Sequence, residues 1–406
     1  MPWKECKALD ERKNFIREWE KGEDDLAELC RRFGVSRPTA YTWLKRYEAE
    51  GEAGLEERSR SPHECPHAMS EAVMEAVLKL RREHPRWGPR KLRAYLMAGQ
   101  GQQHWPAASS IGALLSREGL AHRRHVRRRT PAQSEPLAHA QAPNQVWCAD
   151  YKGWFYCGDG QRCDPLTISD AFSRYLLRCR AVPKTDGVEA KAVFEAVFRE
   201  YGLPDHIRTD NGPPFASAAP AGLSRLAMWW LRLGIRHERI QPGCPQQNGR
   251  HERMHQTLKQ ETAAPPRGNL QQQQQAFQEF EREYNQERPH EALEYRRPAE
   301  LYVASARVYP SRLPELEYPG GVHLRRISQQ GSVKWKGGRA FVSEVVAREY
   351  VGLLETADDF FEVYYGPVLL GWLDAAGAEP VFAPDRGPCR RERRQPVSRQ
   401  VAGGER

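Results

Sequence analysis

Three carboxylates stand apart from the other acidic residues of the chain by what surrounds them. Asp150 closes the apolar run Val146-Trp147-Cys148-Ala149 and so belongs on a strand. Asp210 follows His206-Ile207-Arg208-Thr209 and precedes Asn211-Gly212, a turn pair that exposes a carboxylate at a strand end. Glu252 falls in the first turns of a helix that starts near Gln247-Asn248-Gly249. Hard anionic oxygens of this kind suit Mg²⁺, with Mn²⁺ able to substitute. Two such ions, one activating water or a 3′-hydroxyl and the other stabilising the departing oxygen, run an in-line displacement at phosphorus. That chemistry is positioning and charge neutralisation, without a covalent protein intermediate. Lys259 lies two helical turns after Glu252 on the same face, where a cation would hold substrate phosphate beside the metals; Asn248, one turn before Glu252, shares that face. Most solitary Asp and Glu residues are solvated surface, so the weight rests on the surroundings.

Positioning these groups takes a sheet with a helix laid over it. Val146–Trp154, Leu166–Ser169, Tyr175–Ala181, His206–Asp210 and Ile235–Ile240 read as short strands, and Val188–Tyr201 and Leu223–Leu233 as helices. Strands first, then strands alternating with helices, predict a mixed α/β domain. Gln271–Gln275 reads as a polar interruption, with a helix running through Phe277–Asn285 beyond it. Over residues 320–375 short alternating segments (Val333-Lys334-Trp335, Ala340-Phe341-Val342, Phe361 to Tyr365) predict a small β-barrel.

Upstream, residues 11–48 read as a compact helical unit. Leu26, Leu29 and Cys30 fall at helical spacing, Gly34-Val35 breaks the pattern, and Ser36 caps a second helix that tolerates Pro38 in its first turn. A helix, a short Gly-containing turn and a second helix make a helix-turn-helix. Its exposed second-helix residues Arg37, Thr39, Tyr41 (or Thr42) and Lys45 suit phosphates and major-groove edges, although a plain helical hairpin shares the pattern. A second helical unit over 70–120 carries Val73, Val77 and Leu80, a break at His84 to Pro89, and then Lys91–Leu96 and a helix with Ile111, Leu114 and Leu115.

The chain of 406 residues has a net charge of +9, with 39% hydrophobic and 28% charged residues. That composition suits a soluble protein of several domains. No apolar run is long enough to span a bilayer, and the charged start MPWKECKALDERKNF does not suit a signal peptide, so a bacterial cytoplasmic protein without membrane partner is expected, nucleoid-associated when bound. The basic excess is concentrated: Arg123, Arg124, Arg127, Arg128 and Arg129 crowd one segment, and Arg390, Arg391, Arg393 and Arg394 another. Such blocks act as phosphate-binding arms or as solubilising linkers. Nine cysteines without regular pairing read as reduced thiols. His63, Cys65 and His67 lack the second ligand pair that a zinc finger needs, so no zinc is expected there.

Asp210-Asn211-Gly212-Pro213-Pro214-Phe215, followed by Gln241 to Arg253 with Pro245, Asn248, Gly249, Glu252 and Arg253 in step, closely resembles the integrase core of insertion-sequence transposases, relatives of retroviral integrases with an RNase H-like fold. The basic residue seven places beyond the glutamate is Lys259, and Tyr284-Asn285, Arg288-Pro289-His290, Ala292-Leu293 and Pro298 match the segment that closes this core. One departure is a longer interval between Asp210 and Glu252, its excess lying in 217–230. The resemblance implies catalytic, metal-binding roles for Asp150, Asp210 and Glu252, two Mg²⁺ ions, and double-stranded DNA (transposon ends and target) as partner. Expected DNA contacts are Lys259, Asn248, Arg37, Thr39, Tyr41, Lys45, Arg127, Arg128 and Arg129. The domains expected are a helix-turn-helix over 1–58, a linker over 59–69, a second helical DNA-binding module over 70–121, a basic linker over 122–142, an RNase H-like integrase core over 143–305, a β-barrel-like domain over 306–375 and a basic flexible tail over 376–406. Joining two ends to two target strands takes at least two active sites, so a homodimer or homotetramer on DNA is expected. A non-catalytic, domesticated DNA-binding regulator is the alternative. A nuclease of RNA–DNA hybrids would have no need of the helix-turn-helix.

Overall fold

The computed structural model describes residues 8–58, 69–99, 104–121, 137, 139–241, 249–318, 320–377 and 379–384. The chain divides into two units, Met1–Glu71 and Ala72–Arg406.

In the first unit α1 (Ala8–Lys21), α2 (Leu26–Phe33) and α3 (Arg37–Glu50) enclose Phe15, Ile16, Leu29, Cys30, Ala40, Leu44 and Leu55. Helix α2 ends because Gly34 takes the left-handed φ of 65°, which a side chain would disfavour, and returns its N–H to the carbonyl of Arg31. Ser36 then starts α3, its Oγ accepting from the Thr39 N–H at 3.3 Å, and Pro38 sits in the first turn, where a missing N–H costs nothing. The expected helix-turn-helix is present. Helix α1 adds a third wall, and its Arg12 and Lys13 form ion pairs with Glu57 and Glu52.

The second unit begins with α4 (Glu71–Glu83), α5 (Pro89–Gly99) and α6 (Ala108–Arg117) around Val77, Leu80, Trp87, Leu92, Trp105, Ile111 and Leu114. The break between α4 and α5 is a packed turn: His84 stacks on Trp87 with ring centroids 3.8 Å apart, and the buried Arg81 donates to the Leu120 carbonyl at 2.8 Å.

A mixed sheet follows. Its strands are β1 (Val146–Tyr151), β2 (Phe155–Tyr156), β3 (Arg162–Asp170), β4 (Leu176–Val182), β5 (His206–Thr209) and β6 (Arg236–Arg239). The spatial order is β4-β3-β1-β5-β6, with β2 alongside β3; β4, β3 and β1 are antiparallel, whereas β1, β5 and β6 are parallel. Alternate residues of the strands serve opposite faces. On one face Trp147, Leu166, Ile168 and Ile207 meet Phe194, Phe198 and Trp230 of α7 (Gly187–Tyr201) and α8 (Arg225–Arg232). On the other, Cys163, Leu176 and Cys179 meet Met254 and Leu258 of α9 (Gly249–Thr262) and Phe277 and Phe280 of α10 (Leu270–Arg282).

The glutamine run is not the expected interruption: it is the first half of α10. Asn269 caps the helix, accepting from Gln272 N at 2.9 Å. Gln273 is fully buried and donates to the Thr262 carbonyl at 3.1 Å. Gln274 accepts from Ala181 N at 2.8 Å and donates to the Cys179 carbonyl at 3.1 Å. These amides replace the strand that β4, at the rim of the sheet, lacks.

The C-terminal region is β-rich but not the expected barrel. Among the described residues β7 (His323–Arg326), β10 (Tyr350–Ala357), β11 (Phe360–Tyr365), β12 (Val368–Asp374) and β13 (Val381–Ala383) form an open sheet in the order β13-β12-β11-β10-β7, and β8 (Ser332–Trp335) and β9 (Gly338–Phe341) form a separate hairpin. The rim strands β13 and β7 do not pair with each other, so no ring closes. Val351, Leu353, Phe361, Val363 and Trp335 fill the core between the sheet and the hairpin. Period-two alternation reports a sheet with one buried face, which a barrel and a sandwich share.

Candidate active site

The parallel pairing of β1 with β5 sets Cys148 opposite Arg208. Two residues on, by the same alternation, Asp150 and Asp210 emerge from neighbouring strands at their C-terminal ends and on one face, with strands roughly 5 Å apart. Asp150 also pairs with Thr167 of β3, so that face is the one covered by α9. One Asp210 oxygen, Oδ1, accepts from the Gly212 N–H at 3.2 Å, a turn that the Asn-Gly pair makes possible. Glu252 is exposed on the first turn of α9. Among the described residues the trio of possible metal ligands whose donor atoms all lie within 4.8 Å of one another is His139, His206 and Glu238, not the three carboxylates. Asp150 and Asp210 are brought onto adjacent strand ends, and the donor atoms of the three carboxylates do not all lie within that distance of one another.

Helix α9 is held to the sheet by two buried imidazoles. Nε2 of His251 and Nε2 of His255 each lie 2.6 Å from Thr167 Oγ1, His251 Nδ1 lies 3.2 Å from Ser169 Oγ, and His255 Nδ1 lies 3.9 Å from Asp150 Oδ2. A hydroxyl has one proton to give. Thr167 gives it to the Asp150 main-chain carbonyl at 3.1 Å, so His251 and His255 each offer an Nε2–H to the two lone pairs of the hydroxyl oxygen, and His251 Nδ1 accepts from Ser169. This arrangement satisfies the Thr167 hydroxyl, and His255 Nδ1 stays beyond hydrogen-bond distance of the Asp150 carboxylate. Burial disfavours the charged form of both rings: His251 is pushed down to about 3, and His255 falls well below the usual histidine range, with His251 and Lys152 adding to its shift. His251-Glu252-x-x-His255 has the spacing of a helical zinc-binding pair, but here both Nε2 atoms point at Thr167 and serve as braces.

Lys152, two residues past Asp150, is pushed down by burial and by the charge of Lys259, and is pulled up by Asp150. The three groups thus share one electrostatic neighbourhood, and the exposed Lys259 belongs to it. At the start of α9, Arg174 is pushed down to about 10 by burial and by neighbouring Arg250, with Arg253 adding to the effect. Asp150 with two lysines in its neighbourhood, and a cluster of three arginines near the start of the same helix, suit a polyanionic substrate. Two other aspartates of the core, Asp170 and Asp164, are engaged in structural contacts. Asp170 accepts from Ser173 N at 2.7 Å, Ser173 Oγ at 2.6 Å and Asn144 N at 2.8 Å, and Asp164 pairs with Arg162 at 2.6 Å.

The other expected contacts fall as follows. Arg37, Thr39, Tyr41 and Lys45 are all exposed on α3, opposite the buried Ala40 and Leu44, and the Thr39 hydroxyl is 2.8 Å from Ser36 Oγ. Asn248, Arg127, Arg128 and Arg129 lie outside the described residues, as do His63, Cys65 and His67. Lys152, Thr167, His251 and His255 went unnoticed in sequence. The usable signal was the four-residue spacing of two histidines on the helix that carries Glu252.

A three-strand antiparallel rim continued by parallel strands is the mixed sheet of an RNase H-like core. Two family descriptions of an integrase core domain match residues 140–245 and 233–298, and a helix-turn-helix domain and a homeodomain-like domain match 11–63 and 39–115. The "Insertion element IS407 uncharacterized 31.7 kDa protein" of Burkholderia multivorans is 29% identical over 58% of this chain and 82% of its own length. The "Insertion element IS476 uncharacterized 39.2 kDa protein" of Xanthomonas euvesicatoria is 26% identical over 70% of this chain and 79% of its own length. A solved structure of the HTLV-2 integrase catalytic core domain in complex with magnesium aligns over 40% of this chain and 98% of that one, at 19% identity and a TM-score of 0.32. The chain belongs to the insertion-sequence transposases of the retroviral-integrase-like superfamily. Among the described residues, no helix is long and apolar enough to cross a membrane.

Proposed function

We propose that this chain is an active DDE transposase that binds the terminal inverted repeats of its element, frees their 3′ ends and joins them to target DNA. The observation that carries the reading is the β1–β5 register, which sets Asp150 and Asp210 side by side on the face that α9 covers. Asp150, Asp210 and Glu252 would hold two Mg²⁺ ions, and the donor set fits, being all anionic oxygen with lysines rather than further carboxylates around it. When bound, the ions supply charge neutralisation at the attacked phosphate and a more acidic nucleophile.

The chain's own residues do the rest. The Gly212 N–H fixes the carboxylate of Asp210, and the Thr167 hydroxyl, braced by His251 and His255, donates to the main-chain carbonyl of Asp150. Lys152 and Lys259 hold the phosphate. Attack of water on phosphorus breaks the P–O3′ bond and leaves a 3′-hydroxyl on the element; that hydroxyl then attacks a target phosphorus and displaces the target 3′ oxygen. Arg37, Thr39, Tyr41 and Lys45 read the end, while Asn248 and Arg127 to Arg129 contact its phosphates. Two ends need two active sites, so the working form is a dimer or tetramer on DNA.

The test is joining of a labelled duplex bearing the element's own terminus into plasmid, with Mg²⁺ or Mn²⁺, by wild type and Glu252→Gln. Metal-dependent joining that disappears in the variant while end binding persists is expected. Specific end binding without joining by the wild type would instead indicate a regulator.

A further inference from the structure

A second cluster of ligating side chains lies at the opposite end of β5 from Asp210. His139 precedes β1, His206 opens β5 and Glu238 lies in β6, so three separate stretches of chain converge. His139 Nε2 is 3.0 Å and His206 Nδ1 2.8 Å from the same carboxylate oxygen, Glu238 Oε1. The two rings stand 5.7 Å apart at 61°. His206 Nδ1 is buried and, despite that short separation, makes no directed hydrogen bond. A nitrogen this close to a carboxylate oxygen yet out of line with it is aimed beside the oxygen. The other carboxylate oxygen, Oε2, is taken by Arg208, at 3.2 Å from both Nε and Nη2. Glu238 is thereby oriented from outside, as a metal-ligating carboxylate usually is.

We propose that His139, His206 and Glu238 form a binding site for a borderline transition-metal ion of the Zn²⁺ class. Two imidazoles and one carboxylate are a known zinc donor set, at about 2.0–2.2 Å per bond, with water completing the tetrahedron. Tetrahedral ligand atoms at such bond lengths lie roughly 3.3 Å apart, so shifts of a few tenths of an ångström from the observed 2.8 and 3.0 Å admit the ion. Imidazole donors favour Zn²⁺, Co²⁺ or Ni²⁺ over Mg²⁺, so this site and the carboxylates at the far end of β5 select different ions. Arg208 is a like charge nearby, but its partner is Oε2, which leaves Oε1 for the metal. The ion would fasten the stretch before β1 to the two parallel strands. That stretch enters the sheet already bonded to the start of β5, where Asp205 N and His206 N donate to the carbonyls of Asn144 and Gln145 at 2.9 and 3.0 Å. The site's role is to fix the chain just downstream of the arginine-rich segment, and it does not depend on the carboxylates being catalytic.

The test uses the full chain stripped with a chelator and titrated with Co²⁺ and with Zn²⁺. Wild type is expected to show the intense visible bands of tetrahedral Co²⁺, displaced by Zn²⁺, and to melt at higher temperature with Zn²⁺. His139→Gln, a change at a half-exposed position, and Glu238→Gln should each weaken Zn²⁺ binding by about 100-fold or more. Glu252→Gln should leave it unchanged. Equal Zn²⁺ affinity in wild type, His139→Gln and Glu238→Gln would overturn the proposal, as would loss of the Co²⁺ bands in Glu252→Gln alone.

Discussion

Helices α9 and α10 lie side by side on the same face of the sheet, and each turns a row of polar side chains inward, yet the two rows act on different things. The inward groups of α9, His251 and His255, meet side chains: Thr167, Ser169 and, through His255, Asp150. Those of α10 and the turn after it meet main chain. Gln274 takes Ala181 N and Cys179 O, Glu281 takes Cys179 N, and Asn285 takes both N and O of Leu176 at 2.8 Å. Residues 274, 281 and 285 recur at helical spacing, so one stripe covers the outward edge of β4. Buried polar residues on a helix can thus either brace side chains of the sheet or stand in for a missing strand, and mutation can separate the two roles.

The largest effect should come at the strand ends that α9 covers. Asp210→Asn keeps the turn to Gly212 but removes a charge, and joining should fall on the order of 10³-fold with end binding intact; a loss of less than tenfold in single-turnover assays would break the assignment. On the α10 side, Asn285→Ala leaves the Leu176 N–H and carbonyl buried without partners and should cost about 3 kcal/mol in urea unfolding. Joining per folded molecule should be unchanged, and a proportionate drop would merge the roles of the two helices.

Glu281 sharpens the contrast through pH. Burial pushes its carboxyl up to about 7, against an ordinary value of 4.5. The folded state therefore holds this proton more tightly than the unfolded state. The associated stability is fully present below about pH 4.5 and is lost as pH rises through 7. Glu281→Gln keeps an acceptor for Cys179 N without the charge. It should match wild type near pH 4.5 and exceed it by up to about 3 kcal/mol above pH 7; parallel stability curves for the two proteins would refute this. The smallest effect is expected at the brace under α9. Thr167→Val should slow joining about tenfold per folded molecule, with Thr167→Ser restoring it. Equal rates in the Val and Ser variants would leave the hydroxyl a purely structural group.

The same contrast explains what could be read from sequence. The positions of Asp150, Asp210 and Glu252 in the fold were legible because a strand end, a turn dipeptide and a helix start are local patterns, and each carboxylate sits at one. The glutamine run was misread because composition alone says polar, and only the open edge of β4 turns those amides inward. His251 and His255 were missed for a related reason: helical spacing marks a shared face without saying that the face lies against Thr167. In the closing segment Tyr284-Asn285-x-x-Arg288, the work proves structural, with Asn285 on β4 and Arg288 paired with Glu261 of α9 at 2.9 Å. The barrel failed on closure, which depends on whether β7 meets β13, a long-range pairing that no strand's own residues announce.

The sealed rim has a consequence for how copies can meet. A strand edge with free N–H and carbonyl groups invites another chain to extend the sheet. On β4 those groups at Leu176, Cys179 and Ala181 are occupied by Asn285, Glu281 and Gln274. The far rim, β6, presents Arg236 and Arg239, whose like charges would oppose those of a second copy laid along it. Growth by sheet-to-sheet addition is closed off at one border and electrostatically taxed at the other. Copies that meet would have to do so without extending the sheet that carries Asp150 across β4.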